Sequence, residues 1–229
     1  MSDFATPRLF TACPAAEPVS RWCLSAGKRG FDAVFAALVL LCGLPLMLLI
    51  AVLIKITSPG PILFQHTRVG QGGVLFSLIK FRSMSIRASG GSNLTRSGDS
   101  RVTPVGRFLR RTKLDELPQM YNVLRGDMSL VGPRPDVPEF MDTLSDDLRP
   151  VLLLRPGVTS LASISYRDEE AVLAAVPAEQ MRSFYIEQLL PRKIALDLQY
   201  ARAASFASDL KLIAWTAAVM LPLHSARTR

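Results

Sequence analysis

Two acidic side chains stand side by side at Asp115 and Glu116, directly after the basic cluster Arg107, Arg110, Arg111 and Lys113. Adjacent carboxylates suit a hard cation such as Mg2+, which one or two carboxylates commonly hold together with substrate phosphates. Arginines at that range grip phosphate oxygens through paired N–H bonds. Once cations offset the repulsion, a carboxylate can itself attack phosphorus and carry the covalent intermediate. The same residues also have a purely structural reading. Thr112-Lys113-Leu114-Asp115 fits a capping box, and acids ahead of Pro118 are ordinary at a helix start. Residue type and spacing leave both open.

Two more arginines gain meaning beside this pair. Pro133-Arg134-Pro135 fixes a guanidinium on a stiff turn, which suits either ligand recognition or a plain surface turn. Arg167 lies among acids in SISYRDEE, where a surface ion pair is the simpler reading. Other chemistries are missing. The glycine cluster at Gly70-Gln71-Gly72-Gly73 lacks the lysine and hydroxyl residue of a phosphate loop. Three cysteines and two histidines, without metal-ligand spacing, exclude a disulfide framework and a Cys/His zinc site.

The surroundings favour an anionic ligand. Residues 61–115 hold ten Lys/Arg against two Asp, which accounts for the whole net charge of +8. That surplus admits nucleic acid, lipid headgroups or a phosphorylated small molecule. Stacking aromatics are few, so no nucleic acid is expected as a partner.

Residues 33–54 run 22 positions without a charge, enough to reach across a hydrocarbon core. Such a run is too long, and starts too late, for a cleaved signal peptide. Lys28, Arg29 and Lys55 flank it on both sides, and Pro45 sits near its middle. Basic flanks at both ends suit a helix that enters and leaves by one face, though an ordinary spanning helix also tolerates a proline. Beyond the turn at Ser58-Pro59-Gly60-Pro61, residues 62–68 and 74–82 read as the arms of a β-hairpin. Residues 88–100 form a small polar loop, 105–126 a helical pattern, 132–140 a proline-rich turn and 155–160 a further turn. From Ala178 to Leu223 we expect two or more helices broken at Pro191. The apolar run 212–223 is too short to span, so it lies in the interface or packs on the core. The fold class that follows is α+β and mostly helical, with a tail over 1–27, a membrane helix over 28–56, a compact catalytic domain over 57–223 and a tail over 224–229.

Taken as a series, KRGFD (28–32), SPGPILFQHTRVGQGGVLFSLIKFRSM (58–84), RVTPVGRFLRRTKLDELPQMYNVLRGDMSLVGPRP (101–135), LRPGVT (154–159) and LDLQY (196–200) resemble the bacterial sugar transferases, the monotopic polyprenyl-phosphate phosphoglycosyl transferases. The resemblance spans residues 28–223 and is most specific from LDELPQ to VGPRP. It implies transfer of a sugar 1-phosphate from a nucleoside diphosphate sugar, with a uridine donor expected, to polyprenyl phosphate, releasing the nucleoside monophosphate. It also implies a re-entrant helix over 31–54 in the bacterial inner membrane, with the catalytic domain on the cytoplasmic face, and a role in exopolysaccharide, capsule or O-antigen assembly.

By the same resemblance Asp115 is the nucleophile and Glu116 holds Mg2+. Arg110 and Arg167 contact phosphate, and Arg134 helps hold the nucleotide. The short stretch before the helix resembles the small forms without an added multi-helix domain. Ser100, in place of a common proline, and the serines of 159–167 depart from the usual pattern. A non-catalytic scaffold with the same fold is the alternative function, and a homo-oligomer is compatible with either.

Overall fold

The fold is described from a computed structural model over residues 19–85, 94–95 and 98–220. Residues 1–18 of the expected tail, most of the polar loop at 88–100 and the tail at 224–229 lie outside these residues. Helices run over Ala26–Thr57 (α1), Pro104–Arg111 (α2), Gln119–Arg125 (α3), Pro138–Met141 (α4), Leu161–Ser165 (α5), Glu169–Ala174 (α6), Met181–Phe184 (α7), Leu190–Ala203 (α8) and Phe206–Met220 (α9). Strands Leu63–Val69 (β1) and Leu75–Phe81 (β2) form the expected antiparallel hairpin, in register from Leu63 opposite Phe81 to Val69 opposite Leu75. Ser129–Val131 (β3) and Gly157–Thr159 (β4) make a separate parallel pair. The chain is thus mostly helical, with two small sheets and one long apolar helix near its N-terminus.

Helix α1 starts at Ser25, whose hydroxyl accepts the Lys28 N–H, and continues through Pro45 for 32 residues. It is long and apolar enough to cross a membrane. Its buried residues, Lys28, Asp32 and Ala36 near the start and Ile50 and Ile54 near the end, recur every fourth position and so share one face. The leucines between them, from Leu38 to Leu49, are largely exposed. Polar staples hold both ends against the rest of the chain. Arg29 donates to Val123 O and Leu124 O, each at 2.6 Å, closing the carbonyl end of α3. Asp32 accepts the Ser129 hydroxyl (2.7 Å) and the Leu130 N–H (3.2 Å). Lys28 Nζ lies 2.5 Å from Asp209 of α9. At the far end Arg82 donates to Ser58 O and Pro59 O at 2.6 and 2.8 Å, pinning the turn that follows the helix. Residues 19–27, read from sequence as part of a tail, are built in: Ser20 bonds to Ala201 O and Ala204 O at the end of α8.

Three apolar clusters fill the interior. One joins the first half of α1 to α3, β3, α8 and α9. A second gathers α4, α6 and α8, and a third sets Ile50 and Ile54 against Phe81 and Leu109. In the run 212–223, Leu212 packs into the first of these while Trp215 is exposed.

The helical reading of 105–126 resolves into two helices, because Lys113 turns into the left-handed region and Pro118 begins a fresh start. Three other local expectations are corrected. The stretch at 155–160 contains β4, since glycines at 132 and 157 let two backbones meet where a Cβ on Gly157 would fall 2.2 Å from Gly132 N. Pro191 does not break the C-terminal helices. A wide π turn at Tyr185–Leu189 precedes it and makes room for a ring that an ordinary turn would crowd, and the break falls at Ala204 instead. Thr112 caps nothing ahead of it: its hydroxyl donates back to Phe108 O at 2.9 Å, closing α2. The true N-cap of α2 is Thr103, which accepts the Gly106 N–H at 2.9 Å.

Gly106 itself touches the end of the hairpin, where a Cβ would lie 2.0 Å from Ser83 O. Gly106→Ala is therefore expected to destabilise the protein by about 2–3 kcal/mol, the usual cost of forcing atoms into a filled contact. A thermal melt in detergent reads this directly. An unchanged midpoint would mean that α2 is free to move away from Ser83.

Candidate active site

The acidic pair sits on a single helical turn, Leu114–Glu116, between α2 and α3. Lys113 enters it at φ 55°, a conformation that costs a non-glycine residue about 1 kcal/mol or more. Leu114 and Leu117 pack onto the cluster around Ile50 and Ile54, so the two acids between them face the opposite way. Both are buried. Among the described residues Asp115 Oδ1 has no hydrogen-bond partner, an arrangement that needs a reason in a folded interior.

Cations from three elements converge on this pair. Arg134, on the proline-bounded turn, donates from Nη2 to Glu116 Oε1 at 3.0 Å. Burial alone would raise the Glu116 carboxyl, but Arg134, Lys113 and Lys80 outweigh it and hold it at about 2. Burial and the charge of Glu116 push the Asp115 carboxyl above the ordinary range, against the pull of Lys80, Lys113 and Arg110. The outcome is one firmly ionised acid and one whose proton is held more tightly, the separation that acid–base and nucleophile assignments depend on.

Arg110 is thus among the charges that act on Asp115, and its guanidinium also pairs with Glu170 of α6. Arg167 stands apart from the other four. It is half exposed, with Nε 3.7 Å from Asp168, and is not one of the charges that act most strongly on either acid.

Sequence reasoning passed over the hairpin's share. Phe64, His66 and Arg68 alternate on β1 opposite Lys80, Leu78 and Phe76 on β2, so one hairpin face carries all six. Lys80 approaches the Phe64 ring (5.6 Å to its centroid), and burial lowers its ammonium to about 8 despite Asp115 and Glu116. Arg68 bonds Asp136 Oδ1 at 3.1 Å, and Asp136 also takes the Tyr185 hydroxyl. The signal was there in the alternation, which puts Lys80 on the same side as buried Leu78.

Asp197 was missed as well. Buried on α8, it accepts the Arg134 N–H (3.3 Å) with one oxygen and the Ala162 N–H (3.0 Å) with the other. Burial raises its carboxyl to about 6 against those bonds.

Among the described residues no group of three or more His, Cys, Asp or Glu is arranged to hold a metal ion. Mg2+, which keeps several waters and substrate oxygens, asks for less. One or two carboxylates suffice, and a buried, unpartnered Asp115 oxygen beside Glu116 fits that need.

Comparison with known proteins bears on the same region. The model of a family described as bacterial sugar transferase matches residues 23–222. The UDP-glucose:undecaprenyl-phosphate glucose-1-phosphate transferase of Caulobacter vibrioides is 39% identical over 213 residues, 91% of this chain and 75% of that one. The protein of the same name from Escherichia coli K12 is 37% identical over 192 residues, 81% of this chain and 38% of the other. A UDP-N-acetylgalactosamine-undecaprenyl-phosphate N-acetylgalactosaminephosphotransferase from Aeromonas hydrophila is 43% identical over 141 residues, 60% and 33% of the two chains. This chain therefore spans three quarters of the first relative and between 33% and 38% of the other two.

Proposed function

The chain belongs to the bacterial sugar transferase family, and on that premise we propose that it moves a sugar 1-phosphate from a UDP-sugar to polyprenyl phosphate and releases UMP. The observation that carries this reading is Asp115: a buried carboxylate oxygen without a partner, beside an ionised Glu116 and within a ring of arginine and lysine charge. In the first step an Asp115 oxygen attacks the sugar-bearing phosphorus. The bond from that phosphorus to the UMP oxygen breaks, leaving a phosphosugar–aspartate and free UMP. In the second, an oxygen of polyprenyl phosphate attacks the same phosphorus and the aspartyl bond breaks, giving the diphosphate-linked sugar and restoring the carboxylate. Both steps gather negative charge around phosphorus, which preset cations stabilise best in a dry site.

Arg134 is suited to the donor's phosphates because its stiff turn fixes the guanidinium. Arg110 is suited to the transferred phosphate, since it already acts on Asp115. Arg167 keeps its phosphate role from the family resemblance alone. Glu116, with Asp115, would hold Mg2+, which when bound offsets the charge of the diphosphate. Re-entrant seating of α1 in the inner membrane is supported by the staples at both of its ends and by Pro45 between exposed leucines. The catalytic domain then lies on the cytoplasmic face, and the product opens exopolysaccharide, capsule or O-antigen assembly.

The test is UMP release from a panel of UDP-sugars by the detergent-solubilised protein. Release that needs polyprenyl phosphate and stops with EDTA supports the reading. Silence across the panel from folded protein turns the balance to a non-catalytic scaffold.

A smaller prediction concerns Glu170, whose half-exposed carboxylate occupies Arg110 and so competes with substrate phosphate. Glu170→Gln is expected to lower the donor KM about two- to fivefold, the usual worth of such an ion pair. A raised KM would show that Glu170 helps to place Arg110 instead.

A further inference from the structure

Arg134 sits between two residues that have no N–H, so its own amide is the one backbone donor of Pro133-Arg134-Pro135. That donor is met by Asp197 Oδ2 at 3.3 Å. The other oxygen of the same carboxylate takes the N–H of Ala162, in the first turn of α5, at 3.0 Å. Ser160, which begins that turn, accepts the Ser163 N–H and donates its hydroxyl to Ser163 Oγ at 2.9 Å, so it fixes the turn that presents the Ala162 N–H. The carboxylate is 3% exposed and makes no ion pair among the described residues. Its two oxygens serve two segments that share no strand, the arginine turn after β3 and the segment from Ser160 that leads to Arg167.

We propose that Asp197 is a positioning residue that yokes these two segments, setting the Arg134 guanidinium and the 160–167 stretch as one donor-binding unit. The proposal rests on the transferase reading above and deepens it. A carboxylate is suited to the task. It is acceptor-only, so both oxygens can take amide hydrogens, and charged acceptors make shorter and stronger bonds than neutral ones. Asparagine keeps one acceptor and turns an N–H2 group toward the other amide. The turn is braced from a second side by Gly157 N–H on Pro133 O at 2.8 Å, so loss of Asp197 re-aims Arg134 without releasing the chain.

The experiment compares wild type, Asp197→Asn, Arg134→Ala and the double variant as full chains in detergent, with KM measured for UDP-sugar and for polyprenyl phosphate. KM does not depend on how much of a preparation is folded, so a purely structural defect lowers the maximal rate and leaves both KM values in place. We expect Asp197→Asn to raise the donor KM about tenfold, the scale of a small misplacement of a binding group. The lipid KM stays unchanged. In the Arg134→Ala background the same substitution adds little, because both act through one guanidinium. Ser160→Ala keeps both Asp197 oxygens but removes the cap of the turn that presents the Ala162 N–H, so it loosens one end of the yoke, gives a milder shift in the same direction, and carries the test if Asp197→Asn does not fold. An unchanged donor KM, equal shifts in both KM values, or full additivity with Arg134→Ala would overturn the proposal. Absence of lipid-dependent UMP release in the wild type is a different failure, and it strikes the transferase reading itself.

Discussion

Asp115→Asn is expected to abolish lipid-dependent UMP release, by at least about a thousandfold, while leaving the protein folded and no less stable at neutral pH. The loss follows from chemistry: an amide cannot supply the attacking oxygen, and its neighbour Glu116 is already bound to Arg134. The stability half follows from linkage. Burial and Glu116 raise the Asp115 carboxyl above its unfolded value, so the folded state holds that proton more tightly than the unfolded chain does. The stability this lends is fully present below the unfolded value and is lost as pH rises through the folded one. At neutral pH the ionised group is a burden, and a neutral amide of the same shape lifts it. Turnover and thermal melts on the two proteins decide the matter. Residual turnover within tenfold of wild type would remove Asp115 from the reaction. A midpoint lowered by several degrees would instead make it a structural acid.

How far the sequence carried the site can be seen from where each residue lies along the chain. Asp115, Glu116 and Arg110 fall within seven positions, so spacing alone brings them into one reading. Arg134 needed only the stiffness of two prolines. The hairpin was legible from alternation, and its register places Lys80 on the inward face, but nothing along the chain says which helix that face meets. Asp197 was less accessible still. Its work is done on backbone amides far away in sequence, and backbone donors leave no trace in residue identity. The same holds for KRGFD. Read as sequence, Lys28 and Arg29 are basic flanks of an apolar run. In the fold Arg29 closes α3 and Asp32 completes the free edge of β3, so the motif fastens α1 to the strand that leads into the Arg134 turn. The π turn before Pro191 shows the opposite limit, where a strong local signal for a break was overridden by packing of Tyr185, Leu189 and Leu190 into one cluster.

Lys80→Met is expected to lower kcat/KM about a hundredfold or more, the cost of removing one preset charge from a site where negative charge develops. The ammonium is dried by the hairpin and by Phe64, which is why burial brings it down to about 8 although two acids pull the other way. The charged form is then lost as pH rises through that value. Wild-type kcat/KM should accordingly fall on the alkaline side near pH 8, and on the acid side at a pH above the ordinary carboxylate range, where Asp115 takes up its proton. Lys80→Arg separates charge from titration: it keeps a cation that does not deprotonate in this range, so the rate is largely retained and the alkaline limb moves up. The Met variant also removes a charge that favours ionised Asp115, so its acid limb should shift to higher pH. Measuring kcat/KM against pH for the three proteins tests each of these points. An alkaline limb that stays near 8 in Lys80→Arg belongs to another group, and a Met variant with an unmoved acid limb would mean that Lys80 and Asp115 do not sense each other.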